Sequence, residues 1–247
     1  MVSQPRQAAG EVLNPTLILG IETSGTSTGL ALAASGRIVA EIVEHSSCGH
    51  NEVLMPLLDR LLKHADVTVR DLSGIGVDIG PGMFTSLRVG LSTAKGLAIA
   101  HRLPVVGIDA LWSLAHTAQP DADKVLAVID ARKRQVYAAL YIGGRLEIPP
   151  SVSGPEQLVS DVRLKLAGKT RLAVAGSGVG LCTDLFAAAG VRLQSAGIVD
   201  PSPGVVALEA GERIARGQVD DVAAIEPLYL RRTDAELARE QKLKPNG

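Results

Sequence analysis

The sequence predicts an α/β protein that contains two copies of one βββαβα unit. The main observation is an internal repeat, because Leu17 to Ile38 aligns without a gap with Val125 to Leu146 at a constant offset of 108 residues. In both copies an apolar strand ends in a carboxylate, which is Glu22 in the first copy and Asp130 in the second. Apolar strands then alternate with amphipathic helices behind each copy. This alternation independently indicates α/β layers.

The first unit continues from its three strands into a helix predicted over Asn51 to His64. Apolar residues recur there at i, i+3 and i+4, and charged residues hold the opposite side, as in a helix with one buried face. A strand from Ile75 to Ile79 follows and ends at a Gly-Pro-Gly turn that begins at Gly80. The apolar stripe of the helix contains Val53, Leu54, Leu57, Leu58, Leu61 and Leu62, and Met55 lies outside it.

A second helix is predicted from Ser86 to Ala100, with Thr85 as its N-cap residue. Gly90 and Gly96 each cost a helix about 1 kcal/mol relative to alanine, so we expect a compensating close approach of another helix. That helix belongs either to the same lobe or to a partner protein. Small side chains recur every four residues and form one stripe: Ser86, Gly90, Ala94 and Ala98.

The first unit closes with the strand PVVGI and a helix over Ala110 to Thr117. The second unit repeats this order, with a helix from Pro155 to Leu166, a strand from Arg171 to Gly176, a helix opened by Ser177-Gly178 and a last strand and helix. Two βββαβα units in tandem are the signature of the actin/sugar-kinase/Hsp70-like (ASKHA) ATPase fold. We expect a flexible tail over residues 1–15, an N-terminal lobe over 16–109 and a C-terminal lobe over 110–247, whose last segment packs back on the first lobe.

Composition narrows the class of protein. Hydrophobic residues make up 46% of the 247 residues and aromatic residues only 2%, so the core is aliphatic. The formal net charge is −1 with no long basic run, which argues against an autonomous nucleic-acid binder and makes any RNA role indirect. The two cysteines, Cys48 and Cys182, lie far apart, which suits a reducing cytoplasm. No signal peptide or membrane span is expected.

The two hairpin turns of an ASKHA fold flank a central cleft and hold nucleotide phosphates. The turn after Glu22 is small and hydroxyl-rich, so a phosphate can still approach it. The turn after Asp130 has no glycine and carries the cations Arg132 to Arg134, which argues against a kinase. Glu22 and Asp130 are either an acid/base pair across the cleft or relics of nucleotide and metal binding. A third possibility is that both turns are ordinary solvated hairpins.

Motifs of hydrolases and metal enzymes are absent from the sequence. The five histidines include no HxxxH or HExxH spacing, so we predict no metal site. There is neither a G-x-S-x-G elbow nor a cysteine with an obvious histidine partner. We therefore predict no catalytic residue.

The chain resembles the TsaB (YeaZ) family, the non-catalytic partners in bacterial synthesis of threonylcarbamoyladenosine on tRNA. The resemblance covers nearly everything after residue 15 and rests on ILGIETS, HNEVLMPLLDRLL, GPGMFTSLRVGLSTAKGLA, IDARKRQVYAALY and PLYLRR, in family order. It implies a pseudo-ATPase that pairs with a TsaD-like catalytic subunit, recruits a TsaE-like ATPase and meets tRNA only through the complex. It also implies homodimers that form through the two helices proposed to bind the partner. It implies no cofactor requirement, and leaves open whether ADP or ATP binds at the complex interface.

The resemblance also implies which residues serve these roles. The two helices after the first hairpin and the Gly-Pro-Gly turn form the partner interface, with Leu54, Met55, Leu58, Leu61, Leu62, Leu87, Gly90, Leu91, Ala94 and Ala98. The vestigial nucleotide cleft contains Glu22, Thr23, Ser24, Gly80, Gly82 and Asp130. Three residues depart from the family pattern, namely Glu22 in place of aspartate, and Met83 and Ser86 in place of serine and glycine. Two alternatives remain, a glycoprotease-like peptidase and an ASKHA small-molecule kinase.

Overall fold

A computed structural model describes residues 16–45, 49–118, 122–166 and 171–231 of the chain. The predicted tail over residues 1–15, Cys48 and the final residue of PLYLRR lie outside the described residues. The strands are β1 (Leu17–Glu22), β2 (Thr28–Ala34), β3 (Arg37–Glu44), β4 (Gly74–Gly80), β5 (Val105–Asp109), β6 (Lys124–Arg132), β7 (Gln135–Ile142), β8 (Arg145–Ser153), β9 (Arg171–Ala175) and β10 (Arg192–Ser195). The α-helices are α1 (His50–His64), α2 (Phe84–His101), α3 (Ala110–Ala118), α4 (Pro155–Lys165), α5 (Val179–Ala188) and α6 (Pro203–Ala215).

The strands form two five-stranded sheets of identical topology. The first has the order β3-β2-β1-β4-β5, and the second, read from its other edge, has the order β8-β7-β6-β9-β10. In each sheet the first two strands pair in antiparallel fashion and the first also pairs in parallel with the fourth. A parallel pair needs a crossover connection, and α1 and α4 provide it. The predicted duplicated α/β fold with two βββαβα lobes is therefore confirmed.

Helix α1 buries the apolar stripe that its sequence predicts. Val53, Leu54, Leu57, Leu58, Leu61 and Leu62 are all buried, and Met55 is exposed. The stripe packs against leucines and isoleucines of the first sheet, such as Leu19, Leu30 and Ile75. The amphipathic pattern thus serves the chain's own core.

Helix α2 begins two residues earlier than the sequence predicts. Met83 occupies the N-cap position without a side-chain hydrogen bond, and Thr85 lies exposed within the first turn, so the assignment of Thr85 as N-cap is wrong. The cause is the turn before the helix. The amide of Met83 donates to the carbonyl of Ser24 at 3.1 Å, and Leu87 already donates to the carbonyl of Met83 at 3.0 Å. The chain is therefore fixed against the first hairpin and is already helical at Phe84.

Each sheet is covered on one face by a helix from the other half of the chain. Helix α3 packs on β6, β7 and β9 of the second sheet, whereas α6 lies on β1, β2 and β4 of the first. Gly20 and Gly76 are register partners on β1 and β4 and leave room for α6. A Cβ at Gly76 would lie 2.6 Å from the Cβ of Ala210, and one at Gly20 would lie 2.8 Å from the backbone nitrogen of Ala207. The glycine pair therefore permits direct helix-to-sheet contact.

The two helix glycines singled out in the sequence have different surroundings. A Cβ at Gly90 would overlap the hydroxyl of Thr23, whereas a Cβ at Gly96 would meet nothing within 4 Å. The close neighbour of Gly90 is thus the first hairpin and not another helix.

We expect Gly96→Ala to raise the free energy of unfolding by about 0.5–1 kcal/mol through helix propensity. We expect Gly90→Ala to lower the free energy of unfolding, because the new methyl group displaces the side chain of Thr23. Urea denaturation of both variants tests this, and equal effects would contradict it.

None of the helices in the described ranges combines the length and the apolar character that crossing a bilayer requires.

Candidate functional site

A cleft of about 690 Å³ lies between the two lobes. Six segments line it: the two hairpin turns, the Gly-Pro-Gly turn with the start of α2, the turn between β9 and α5, the segment between β10 and α6, and the chain after α6. From the first lobe come Ser24, Gly25, Thr26, Gly82, Met83, Phe84 and Leu87. The other side is formed by Ile129, Asp130, Ala131, Arg132, Tyr137, Ser177, Asp200, Leu228, Tyr229 and Arg231.

The first hairpin turn is bound from below by Glu22. This carboxylate is 1% exposed and lies at the end of β1. Its Oε1 accepts hydrogen bonds from the backbone amide of Ser24 at 2.6 Å, the Ser24 hydroxyl at 2.7 Å and the amide of Gly25 at 3.2 Å. Glu22 therefore lies beneath the turn and not in the cleft. Of the alternatives that the sequence leaves open, this position argues against an acid/base pair of Glu22 and Asp130 across the cleft.

The same turn is bound from the other side by Asp200, in the segment between β10 and α6. The Asp200 carboxylate accepts from the amides of Thr26 at 3.2 Å and Ser27 at 3.1 Å, and from their hydroxyls at 2.9 and 2.8 Å. A Cβ at Gly25 would lie 2.6 Å from the Asp200 Cγ. Internal carboxylates thus occupy four consecutive amides, from Ser24 to Ser27. A phosphate could therefore bind these amides only by displacing the carboxylates.

Glu22 is paired with a second buried acid, Asp78. Glu22 ends β1 and Asp78 lies two residues before the end of the parallel strand β4, each one position beyond the register pair Ile21 and Val77. Asp78 is 0% exposed, and its Oδ1 accepts from the amide of Gly80 at 2.6 Å. In the described part of the chain, its Oδ2 and the Oε2 of Glu22 are buried and have no hydrogen-bond partner. One proton between these two oxygens satisfies both.

Electrostatics place that proton on Asp78. Burial raises the pKa of the Asp78 carboxyl well above its usual value, and the charge of Glu22 raises it further. Burial also raises the pKa of Glu22, but hydrogen bonds from Asp78, Ser24 and Gly25 offset part of that effect. Glu22 therefore carries the negative charge and Asp78 is the neutral donor. The sequence signal that could have revealed this pair is the carboxylate near the end of each of two strands that pair in parallel.

The second hairpin turn has an unusual backbone. Arg132, Lys133 and Arg134 have positive φ angles of 61°, 52° and 57°, a conformation that glycine adopts without strain. Asp130 supports the turn, since its Oδ1 accepts from the amide of Arg132 at 2.7 Å and its Oδ2 lies 3.5 Å from the Arg132 guanidinium. The amide of Asp130 itself donates to the hydroxyl of Ser177 at 3.2 Å.

The segment after α6 crosses the cleft and joins the lobes. The amide of Leu228 donates to the carbonyl of Ile79 at 2.7 Å, and Arg231 donates to the carbonyl of Ala131 at 2.8 Å. Between these two contacts lies Tyr229, which forms an exposed cluster with residues of α2. Its ring centroid is 5.2 Å from that of Phe84, and the Arg88 Nε donates to its hydroxyl at 3.0 Å. Sequence reasoning missed this cluster, although Phe84 and Arg88 are four residues apart on one helix.

The predicted cleft residues occupy two layers. Ser24, Gly82 and Asp130 line the cleft, whereas Glu22, Thr23 and Gly80 lie behind it. The Thr23 side chain donates to the carbonyl of Ser86 at 2.9 Å and is buried. This contact fixes the start of α2 to the first hairpin.

The predicted interface residues require a correction, because nine of the ten are buried within the chain itself. Only Met55, which is 52% exposed, presents its side chain to solvent. A charge at Gly90 would therefore test packing against Thr23 and not partner binding. The two helices instead enclose a surface groove of about 500 Å³, called here the α1–α2 groove. It is lined by Asn51, Leu54, Met55, Phe84, Thr85, Arg88, Val89, Ser92 and Thr93.

Cys182 lies buried in the second lobe, outside the cleft. Burial raises the pKa of the Cys182 thiol to about 11, so it remains protonated and a weak nucleophile near neutral pH. Within those ranges no three His, Cys, Asp or Glu side chains come together as a metal-binding group would require.

The fold and its cleft define an α/β protein of the ASKHA class. Component A of (R)-2-hydroxyglutaryl-CoA dehydratase from Acidaminococcus fermentans aligns with a TM-score of 0.52 at 10% identity, over 81% of this chain and 99% of that one, a likeness of fold alone. YeaZ from Pseudomonas aeruginosa is more similar, with a TM-score of 0.71 at 28% identity over 87% of this chain and 100% of that one.

Sequence relatives define the family within this class. The Escherichia coli protein named "tRNA threonylcarbamoyladenosine biosynthesis protein TsaB" is 29% identical over 87% of this chain and 94% of its own. The Bacillus subtilis protein of the same name is 35% identical over 50% of this chain and 54% of its own. The model of the family "TsaD: tRNA N6-adenosine threonylcarbamoyltransferase" matches residues 37–238. The chain belongs to the TsaB (YeaZ) branch of this family.

Proposed function

We propose that this chain is a non-catalytic partner of a TsaD-like transferase subunit and that it acts in the formation of threonylcarbamoyladenosine on tRNA. The names of the relatives in Escherichia coli and Bacillus subtilis support the pathway. The observation that carries the non-catalytic role is the state of the first hairpin turn. All four amides from Ser24 to Ser27 are bound by Glu22 and Asp200, so the donors that a nucleotide phosphate needs are already used.

The two enzyme alternatives find less support in the cleft. A small-molecule kinase needs room for phosphate at both turns, and the second turn presents arginine and lysine side chains in place of glycine. A peptidase needs an activated nucleophile, and the Cys182 thiol is buried with a raised pKa. We therefore propose that the chain requires no cofactor of its own. Any ADP or ATP would then be held jointly with the partner, in the cytoplasm.

The α1–α2 groove is the surface proposed to receive the partner. Met55 and Phe84 expose 52% and 40% of their surface there, and Arg88 adds a cation beside the Phe84 ring. Aromatic, methionine and arginine residues are enriched at protein interfaces. We propose that a helix pair of the TsaD-like subunit occupies this groove, that a second copy of this chain can use it in a homodimer, and that a TsaE-like ATPase joins only the assembled complex.

The deciding experiment measures threonylcarbamoyl transfer to tRNA by the purified TsaD-like subunit, a TsaE-like ATPase and the activated adenylate, with and without this chain. We expect transfer only when this chain is present, and no turnover of ATP or peptide by the chain alone. Transfer that does not depend on the chain would refute the proposal, and ATP or peptide turnover by the chain would favour the enzyme alternatives.

The groove is tested by Met55→Glu, which places a charge at the centre of the proposed contact. We expect partner affinity to fall by about 30-fold or more, since central interface residues contribute about 2 kcal/mol or more. The matched control is Leu164→Glu, at an 86% exposed leucine of α4 in the other lobe. Affinity measured by titration calorimetry should be unchanged in the control. Equal affinities of both variants would exclude the α1–α2 groove as the docking surface.

A further inference from the structure

Strain and charge coincide in the second hairpin turn. A positive φ is costly for residues other than glycine, and such strain persists where the surrounding structure or a function holds it. Three consecutive residues carry it here, and all three are cationic: Arg132, Lys133 and Arg134. Glycine at these positions would give the same backbone without strain. The side chains themselves are therefore the feature that needs explanation.

The corresponding turn of the first lobe has no such charges. At the repeat offset, Arg132, Lys133 and Arg134 correspond to Ser24, Gly25 and Thr26. The first turn binds the chain's own carboxylates, whereas the second presents three exposed cations on the same hairpin scaffold. The two halves of the fold have thus diverged in charge at equivalent positions.

The cations extend from the cleft to the outer surface. Arg132 lines the rim of the cleft, but Lys133 and Arg134 are not among the residues that line it. Arg231 adds a fourth cation, because its guanidinium binds the Ala131 carbonyl directly before the turn. Asp130 offsets part of the charge of Arg132. A small phosphate ligand held inside the cleft would reach only the first of the three turn cations, whereas an extended polyanion would reach all of them.

We propose that this basic turn, Arg132 to Arg134, binds the sugar–phosphate backbone of the RNA substrate. The proposal rests on the proposed function, because it assigns to this chain a direct contact with the tRNA that the complex modifies. Lysine and arginine contacts to phosphates supply affinity without base specificity. The net charge of −1 for the whole chain is consistent with a contact that strengthens tRNA binding by the complex. The contact is not expected to bind tRNA on its own.

Two triple variants separate charge from backbone strain. The first replaces Arg132, Lys133 and Arg134 with glutamine, which removes the charge and keeps the strain. The second replaces them with glycine, which removes both. A third variant replaces Arg145, Arg163 and Arg192 with glutamine and is the matched control, since it removes three exposed cations elsewhere on the second lobe.

The measurement is the affinity of the complex with the TsaD-like subunit for an unmodified tRNA transcript over a range of salt concentrations. Each lost phosphate contact reduces the slope of log K against log salt by about 0.7–0.9. We expect both turn variants to lower the slope by about 2 and to weaken binding at low salt at least tenfold, with the control unchanged. We also expect the glycine variant to raise the Tm by a few degrees relative to the glutamine variant.

Size-exclusion chromatography of the same complexes distinguishes this proposal from the proposed function. If the turn variants assemble normally and keep the wild-type salt slope, the RNA contact is refuted and the partner role stands. If they lose assembly and keep RNA binding, the turn contacts an acidic protein surface and the RNA contact is refuted. If the wild-type chain does not assemble at all, the proposed function fails, and the RNA contact, which rests on the complex, fails with it.

Discussion

The wild-type chain is expected to become less stable as pH rises, and replacing Asp78 with asparagine is expected to abolish this pH dependence. Asp78 is buried beside the Glu22 carboxylate, and burial followed by that charge raises its pKa well above the usual value. Asparagine keeps an oxygen for the amide of Gly80 and offers its NH₂ group to the free oxygen of Glu22. It therefore imitates the protonated acid at every pH.

The direction follows from proton linkage. The folded chain holds the Asp78 proton at pH values where the unfolded chain, with an ordinary pKa of 3.8, has released it. Unfolding then releases a proton, so higher pH favours the unfolded state, and the stability is lost as pH rises toward the folded pKa. The slope is about 1.4 kcal/mol per pH unit for one proton. In Asp78→Asn this slope should be absent.

The measurement is urea denaturation of both proteins between about pH 5 and pH 8.5, expressed as the difference between the two pH profiles. The wild-type slope begins above the unfolded pKa of 3.8 and ends at the raised folded pKa of Asp78. His50, His116 and Cys182 are present in both proteins, so their titration cancels in the difference. The control is Glu22→Ala, which leaves two amides and a hydroxyl without their acceptor and should cost about 3–5 kcal/mol. Parallel pH profiles for the wild type and Asp78→Asn would show that no shared proton exists.

A second large effect is expected for Gly20→Val, which would push α6 away from the first sheet. A Cβ at Gly20 would overlap the carbonyl of Pro203 and lie 2.9 Å from the Cβ of Ala207. Both atoms belong to a packed helix, so neither can rotate away as a flexible side chain would. We expect a loss of about 4 kcal/mol or more in the free energy of unfolding, at the upper end of single substitutions.

The matched control for this substitution lies on α6 itself. A Cβ at Gly211 would make only an ordinary contact of 3.4 Å with Ile18. Gly211→Ala should therefore gain about 0.5–1 kcal/mol from helix propensity. Denaturant midpoints of the two variants, with α6 followed by hydrogen exchange, provide the measurement. A Gly20→Val protein as stable as the wild type would mean that α6 does not lie directly on β1.

The repeat and the order of elements could be predicted because they are recorded locally in the sequence. Hydrophobic periodicity identified α1, and the constant offset identified the two copies of the first three strands, which the structure pairs identically. Periodicity shows that a face is buried but not what covers it. The resemblance assigns Leu58 and Ala94 to a partner interface, and periodicity alone cannot show that the first sheet covers them instead.

The contacts that define the site could not be predicted, because they join distant positions. Asp200 lies 174 residues from Thr26, and no local pattern marks a half-buried aspartate as the ligand of a turn. The pairing of Glu22 with Asp78 depends on which strands become neighbours. The early start of α2 depends on the amide of Met83 binding the carbonyl of Ser24. Such contacts arise only when the whole lobe has folded.

The carboxylate of Asp200 has a further consequence for how such a protein can be controlled. A dissolved anion occupies a binding turn only as far as its concentration allows, and it leaves when that concentration falls. A group attached through the backbone has a fixed, high effective concentration at its site. The first hairpin of this chain is therefore held in its liganded shape by the chain itself. A competing phosphate would have to displace Asp200 from the amides of Thr26 and Ser27 before it could bind there.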